Sequence, residues 1–150
     1  MSITFIRHSE SFHNWMNRLQ GNCQTETFRD CGITQRGKRQ AYHLEHEFDL
    51  LLVSPLRRCQ ETFDYSNIVA NEVRTCALVR EKKEDMCDFL ENEELVYDTD
   101  ESFKQQVSKA LQYIKTLPYK NIGVITHSEF VWEAFEVDLV NTGDWNVSMI

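Results

Sequence analysis

Two histidines and an arginine pair are the residues of this 150-residue chain whose types and placement suggest chemistry. His8 stands in the segment Arg7–Ser11, and His127 stands in the segment Thr126–Glu129. The pair Arg57–Arg58 lies between them in the sequence. Imidazoles can attack phosphorus or donate protons, and guanidinium groups bind phosphoryl oxygens. Brought together, these groups would form a site for a dianionic phosphate.

Each of these three groups directly follows a short apolar run, and such runs predict buried strands. The runs are Ile3–Ile6, Leu50–Val53 and Ile122–Ile125, and Cys76–Val79 is a weaker fourth candidate. In open α/β sheets, ligands bind beyond the carboxyl ends of the strands. We therefore expect the histidines and arginines to meet at one edge of the sheet, where helix N-termini add N–H donors for an anion.

Helical patterns alternate with these strands, which predicts an α/β domain with a mostly parallel sheet. Thr34 is expected to cap a helix that runs to about Glu47, with Ala41, Leu44 and Phe48 on one face. Ser54 and Pro55 are expected to start a second helix, as cap and first residue. The apolar spacing in 100–117 predicts an amphipathic helix, and residues 146–150 are a weak candidate for an edge strand.

The composition is that of one globular domain over residues 1–150, with 41% hydrophobic and 27% charged residues. The formal net charge of −8 argues against general nucleic-acid binding and against adhesion to anionic membranes. The longest aliphatic run, Leu50–Val53, is too short to span a bilayer, and the first residues lack the pattern of a secretory signal. Five cysteines without a CxxC spacing indicate free thiols, so we expect a cytoplasmic protein.

The acidic residues are concentrated in the second part of the chain. Residues 1–60 hold eight Lys and Arg against six Asp and Glu, whereas residues 61–150 hold eight against eighteen. The excess peaks in 81–101, where a solvated helix and loop are expected. This stretch and residues 21–32 are the parts of the chain that could cover a pocket.

Four segments, in order, resemble the motifs of the histidine phosphatase superfamily, the phosphoglycerate mutase-like proteins. Residues 7–14 (RHSESFHN) resemble RHGESxxN, and residues 33–41 (ITQRGKRQA) resemble LTxxGxxQA. Residues 54–62 (SPLRRCQET) resemble SPLxRAxQT, and residues 124–130 (VITHSEF) resemble VVTHGGF. The resemblance implies a three-layer α/β/α sandwich with a mostly parallel central sheet.

The same resemblance implies a role for each matching residue. His8 would be the nucleophile that forms a transient phosphohistidine, while Arg7, Arg58 and His127 would hold the phosphoryl oxygens. Asn14 would add a polar contact to the phosphate, and Arg57 falls at the variable position of its motif. Ser128, which stands where the family has glycine, is a further candidate for a contact to the phosphate through its hydroxyl. The family also uses a carboxylic acid to protonate the leaving oxygen. That acid would be Glu81, with Glu84 and Asp85 as alternatives.

The chain departs from the family pattern at three positions. Ser9 and Ser128 replace the glycines that follow the two histidines, so their side chains either fit beside the phosphate or crowd it. Glu61 replaces a glutamine. These departures leave open a catalytically weak module that binds phosphate without efficient turnover.

Taken together, the residues predict a metal-independent phosphomonoester phosphatase without a cofactor, because the arginines already supply the positive charge. The substrate would be a phosphorylated small molecule or a phosphoprotein. A phosphoglycerate mutase-type phosphotransferase is the alternative, disfavoured because mutases of the family carry long insertions over the pocket. His43 and His46, three residues apart on a predicted helix, leave a metal site as a further alternative to a plain helix surface.

Overall fold

A computed structural model describes residues 1–19, 21 and 24–149 of the chain. Within these ranges, five strands form one sheet in the order β3-β2-β4-β1-β5. The strands are β1 Ser2–Arg7, β2 Glu47–Val53, β3 Val69–Thr75, β4 Asn121–Thr126 and β5 Asp144–Ser148. Strands β1 to β4 are mutually parallel, and β5 adds to the edge of β1 in the antiparallel direction. The predicted mostly parallel sheet is therefore confirmed.

In the described residues, five α-helices and three short 3-10 turns connect the strands. The helices are α1 Phe12–Arg18, α2 Gln35–Tyr42, α3 Arg57–Tyr65, α4 Asp100–Lys115 and α5 Ser128–Phe135. The turns are Glu26–Phe28, Ala77–Val79 and Met86–Asp88. No helix in the described ranges has both the length and the apolar character needed to cross a membrane.

Two apolar clusters on opposite faces of the sheet give the three layers. Phe5 and Leu52 point to one face and pack with Phe103, Val107 and Phe130 of helices α4 and α5. The residues next to them in the strands point the other way, into a smaller cluster that contains Leu44 and Cys59. Because both faces are covered, the central strands are apolar throughout, as the sequence indicated.

Helix α2 starts as predicted but ends earlier. The Thr34 hydroxyl accepts a hydrogen bond from Gly37 N at 3.0 Å and caps the helix. The helix ends at Tyr42 rather than near Glu47, and Phe48 lies in strand β2. The prediction was wrong there because strand pairing takes over the backbone, with Val69 N donating to His46 O at 2.9 Å. Phe48 is still buried in the core that the helix pattern predicted.

Helix α3 and strand β3 differ from the predictions. The helix begins at Arg57, with Leu56 rather than Ser54 at the cap position, because the Ser54 hydroxyl lies 2.9 Å from His127 Nε2. Residues 77–79 form a 3-10 turn, so the predicted strand Cys76–Val79 was wrong. The true strand, β3, lies at the sheet edge with mostly exposed residues, and therefore carries no apolar run.

The two C-terminal predictions agree more closely with the structure. Helix α4 begins at Asp100, as predicted, behind a Thr99 cap and ends at Lys115, two residues before the predicted end. The edge strand is β5, Asp144–Ser148, so it starts earlier than predicted, and Ile150 lies outside the described residues.

Helix α2 packs closely against the segment that follows β1, at Gly37. A Cβ at Gly37 would lie 2.2 Å from the Glu10 carbonyl oxygen, and this oxygen already accepts from Thr34 N. We expect Gly37→Ala to lower the free energy of unfolding by about 1–3 kcal/mol, because the backbone must shift. Urea denaturation measures the change, with Arg39→Ala on the exposed side of α2 expected to stay within about 0.5 kcal/mol. Equal stability of the two variants would contradict this packing.

Candidate active site

The carboxyl ends of three parallel strands bring the two histidines and the arginine together. Strand β4 lies between β1 and β2, and its end is level with both. The backbone continues this alignment past the strands, with His8 N donating to Thr126 O and Ser54 N donating to Ile125 O, each at 3.1 Å. The rings of His8 and His127 lie edge to face with centroids 5.2 Å apart.

His8 is held in one tautomer by its own backbone neighbourhood. Its Nδ1 lies 2.7 Å from the Ser9 carbonyl oxygen, which can only accept, so Nδ1 must carry the proton. The lone pair is then on Nε2. Burial, together with Arg58 and Arg7, lowers the pKa of His8 well below its usual value. At neutral pH the imidazole is thus uncharged and has one oriented lone pair.

His127 is held by side chains rather than by the backbone. Its Nε2 lies 2.9 Å from Ser54 Oγ and 3.4 Å from Cys59 Sγ. Either atom of the Ser54 contact can be the donor, and when the Ser54 hydroxyl donates to Nε2, the proton of the neutral ring is on Nδ1. The pKa of His127 is lowered by burial and by Arg58, so the ring is neutral. Nδ1 is buried and has no hydrogen-bond partner in the described part of the chain.

Arg58 is the most buried charge of the site, with 2% of its surface exposed. Its Nη1 donates to the Cys87 carbonyl oxygen at 2.7 Å, and its Nη2 donates to Asp88 Oδ1 at 2.9 Å. Burial by itself would lower the pKa of Arg58, but the Asp88 carboxylate outweighs it and raises that pKa. Arg57 is exposed and pairs with Glu61 at 3.1 Å. It does not line the pocket that contains His8 and Arg58, which is described next.

The pocket has a volume of about 230 Å³ and contains most of the sequence-predicted residues. Its lining includes Arg7, His8, Asn14, Arg58, Glu81, Glu84, Asp85 and Ser128. Arg7 donates to Leu139 O at 2.8 Å, and its buried Nε has no partner among the described residues. Asn14 Oδ1 already accepts from Ser11 N and Asn141 Nδ2, so its remaining contact to a ligand runs through Nδ2.

The three departures from the family motifs have different consequences. Ser9 is fully buried but turned away from the pocket, because its hydroxyl and its N–H lie 3.1 and 3.0 Å from Thr62 Oγ1. Ser128 lines the pocket at the start of α5. Glu61 accepts from Ile33 N at 2.9 Å and acts outside the pocket. The Ser9 side chain points to Thr62 and not into the pocket. It therefore does not crowd a bound phosphate, which was one of the two outcomes expected from the sequence.

Glu81 has the environment of a proton donor. Burial and the nearby Asp88 carboxylate raise the pKa of Glu81 to about 8, so the group is a neutral carboxylic acid at pH 7. Its Oε1 accepts from Lys82 N at 3.0 Å, which orients it. Glu84 also lines the pocket, and partial burial raises its pKa. Most of the Glu84 side chain is nevertheless exposed to solvent. Among the three candidate acids, this geometry favours Glu81.

The acidic stretch 81–101 was expected to be a solvated helix and loop, but some of its carboxylates form ion pairs with arginines. It holds one 3-10 turn, and Asp88 in that turn is buried against Arg58. Glu93 pairs with Arg80 at 2.8 Å and ties the segment down further. Sequence reasoning missed Asp88 and Glu129, both of which line the pocket, because neither carries a motif beyond its charge.

The predicted alternative metal pair does not form part of a larger ligand group. His43 is exposed at the end of α2. His46 precedes strand β2, and its Nε2 lies 3.8 Å from Oδ2 of Asp144, the first residue of β5. In the ranges that the structure describes, neither belongs to a group of three metal-ligating side chains. Four cysteines, at 31, 59, 76 and 87, are buried free thiols as expected, and Cys23 lies outside the described residues.

Comparison with known protein families agrees with the resemblance that the four sequence motifs indicated. Residues 3–83 match the histidine phosphatase superfamily (branch 1), so the chain belongs to this superfamily. A search of curated protein sequences returned no match.

Solved structures of similar fold include the α-ribazole phosphatase from Shigella flexneri, with a TM-score of 0.72 and 16% identity over 100% of this chain and 91% of that one. A phosphoglycerate mutase from Thermus thermophilus has a TM-score of 0.66 and 18% identity over 98% and 92%. A phosphoserine phosphatase variant from Entamoeba histolytica, in complex with phosphoserine, has a TM-score of 0.61 and 16% identity over 97% and 89%. These similarities show a phosphoglycerate mutase-like fold.

The Arg58–Asp88 pair is expected to be a major determinant of local stability. Asp88→Ala leaves a buried guanidinium without its carboxylate, so we expect the free energy of unfolding to fall by about 3 kcal/mol. Arg57→Ala breaks the neighbouring exposed pair with Glu61 and is expected to cost less than about 1 kcal/mol. Urea denaturation of both variants measures the difference, and similar losses in the two would refute the special role of Asp88.

Proposed function

We propose that the protein is a metal-independent phosphomonoester phosphatase that acts through a phosphohistidine on His8. The observation that carries the proposal is the edge-to-face approach of the His8 and His127 rings near the buried Arg58 guanidinium. The Ser9 carbonyl places the His8 lone pair on Nε2, and with the Ser54 hydroxyl donating to Nε2 of His127, the second ring would offer Nδ1–H. This is the combination that phosphoryl transfer to nitrogen requires.

Binding of the phosphoryl group uses donors that are already in place. The guanidinium groups of Arg58 and Arg7 and Nδ1–H of His127 would donate to the phosphoryl oxygens. Asn14 Nδ2 and the Ser128 hydroxyl would complete the cradle from the ends of α1 and α5. Two of these donors, Arg7 Nε and His127 Nδ1, are buried without a partner in the described residues, so a bound anion would satisfy them.

The first chemical step forms the phosphoenzyme. The His8 Nε2 lone pair forms a bond to phosphorus while the bond from phosphorus to the alcohol oxygen breaks. The electron pair of that bond goes to the oxygen, which takes the proton of Glu81 and leaves as a neutral alcohol. The Ser9 carbonyl keeps accepting from Nδ1–H and stabilises the positive charge that develops on the ring.

The second step returns the enzyme to its starting state. The Glu81 carboxylate removes a proton from water as the water oxygen bonds to phosphorus, and the bond from phosphorus to Nε2 breaks. The electron pair returns to His8, inorganic phosphate leaves, and Glu81 is again protonated. Since every step is completed by residues of the chain, we infer that turnover needs no metal ion or cofactor.

The substrate class is a phosphorylated small molecule or phosphoprotein. Hydrolysis is favoured over transfer because the pocket is open to solvent, so water can reach a phosphohistidine formed in it. A phosphoglycerate mutase-type transfer predicts instead that the phosphoenzyme passes its phosphoryl group to an added acceptor faster than to water. Measuring inorganic phosphate against phosphorylated acceptor separates the two.

A phosphate-binding module with weak catalysis is favoured by a different observation. Arg58 is already paired with Asp88, which reduces the positive charge available to the transition state. Such a module would bind vanadate but would not turn over a phosphomonoester. The experiments on His8 and Glu81 decide between the enzyme and the module.

We expect His8→Ala to lower kcat/KM for an aryl phosphate by about 10³-fold or more, because the nucleophile is removed. Rapid quenching of the unchanged protein should trap a protein phosphate that is labile to acid and stable to alkali, and the variant should trap none. His43→Ala, an exposed histidine far from the pocket, is the control and should retain full activity. Turnover that survives in His8→Ala would overturn the proposal.

We expect Glu81→Gln to lower kcat for an alkyl phosphate by about 10²-fold or more, and far less for an aryl phosphate whose leaving group needs no proton. The protonated carboxyl is the active form, so kcat for the alkyl substrate should fall as the pH rises through about 8. Glu84→Gln is the matched control. If Glu84→Gln, and not Glu81→Gln, discriminates between the two substrates, the acid is misassigned.

A further inference from the structure

A group of metal-ligating side chains, separate from the nucleophile, lies in the wall of the phosphate pocket. It consists of His13 on helix α1 and of Asp85 and Cys87 around the 3-10 turn Met86–Asp88. One ligand atom from each residue lies within 4.8 Å of the other two. His13 and Asp85 line the pocket, whereas Cys87 is fully buried behind them.

We propose that His13, Asp85 and Cys87 bind a Zn²⁺ ion that ties helix α1 to the turn carrying Cys87 and Asp88. This goes beyond the proposed function, because no step of the phosphoryl transfer passes through the ion. The fourth coordination position is left to water on the side of the pocket.

The donor set selects the metal. An imidazole nitrogen, a thiolate and a carboxylate oxygen are the ligands that Zn²⁺ takes, whereas Mg²⁺ and Ca²⁺ prefer oxygen alone. In a tetrahedral zinc site the donor atoms lie about 3.4–3.6 Å apart, as its bond lengths require. The three side chains would therefore close in by about 1 Å, which rotation about their side-chain bonds can supply.

Neighbouring side chains orient two of these ligands. Asn17 Nδ2 lies 3.1 Å from His13 Nε2, and this contact holds the imidazole ring against helix α1. Asp85 Oδ1 accepts a hydrogen bond from Gln24, which orients the carboxylate.

The charge of the pocket wall also favours a divalent cation. Two further carboxylates of the same pocket, Glu84 and Glu129, add negative charge to it, whereas Glu81 is protonated and Asp88 is paired with Arg58. The thiolate is the form of Cys87 that binds a metal, so coordination releases the thiol proton.

The proposed metal site would also restrain Arg58, the residue whose positive charge is proposed to bind phosphate. The backbone oxygen of Cys87 accepts from Arg58 Nη1, and Asp88, the next residue, pairs with Nη2. A metal bound at Cys87 fixes this turn relative to α1 and thereby holds Arg58 in position. We thus expect Zn²⁺ to raise the thermal midpoint of unfolding, with Asp85 and His13 as the links to the pocket side.

Titration of Co²⁺ into reduced, chelator-treated protein tests the site directly. We expect one equivalent to bind with a thiolate-to-cobalt charge-transfer band in the near ultraviolet and to be displaced by Zn²⁺. Cys87→Ser should abolish the band, and His13→Ala should weaken Co²⁺ binding about tenfold or more. Cys76→Ser, a thiol buried in the core away from the pocket, and His46→Ala should leave the titration unchanged.

Several results would overturn the proposal. These are the absence of a cobalt band, a band that persists in Cys87→Ser, or binding that is unaffected by His13→Ala. Because His13 lies on the wall of the pocket and not in the apolar core, His13→Ala tests the site even if Cys87→Ser fails to fold. None of these readouts depends on turnover, so they separate this proposal from the proposed phosphatase activity.

Discussion

The buried positive charge of Arg58 is the constraint on which the rest of the site depends. A guanidinium with 2% exposure cannot rely on water and needs acceptors from the protein. The Cys87 carbonyl and the Asp88 carboxylate supply them, and this requirement folds the acidic stretch after β3 back over the strand ends. Burial, and after it the same charge, lowers the pKa of both His8 and His127, so the two rings are neutral.

The pocket therefore combines two opposite electrostatic environments within a few residues. On the side of β1 and β4, cations and N–H donors favour a phosphoryl dianion. On the side of residues 81–88, burial and the Asp88 carboxylate raise the pKa of Glu81 to about 8, because Asp88 disfavours a second negative charge beside it. One carboxylate thus serves to hold Arg58, and through its charge it also keeps the neighbouring acid protonated.

The sequence predicted the parts of the fold that have a strong local signal. The three apolar runs are strands, and the helix that starts at Asp100 is present, because burial on both faces or on one stripe leaves a periodic pattern. Predictions failed where a residue interacts with a part of the chain that is distant in sequence, because such an interaction leaves no local pattern. Ser54 does not cap a helix, because its hydroxyl lies beside His127, and the helix from Thr34 stops where β2 pairs with its neighbours.

The amino-acid sequence by itself determined the class of protein, since the four motifs hold His8, the arginines and His127 in a fixed order. Only the tertiary structure decided how these groups are charged and oriented. The tautomer of His8 follows from the Ser9 carbonyl, and the state of Arg58 follows from Asp88, which is thirty residues away in the chain. A motif records which side chains are present, but protonation and direction depend on burial and on partners that chain folding brings near.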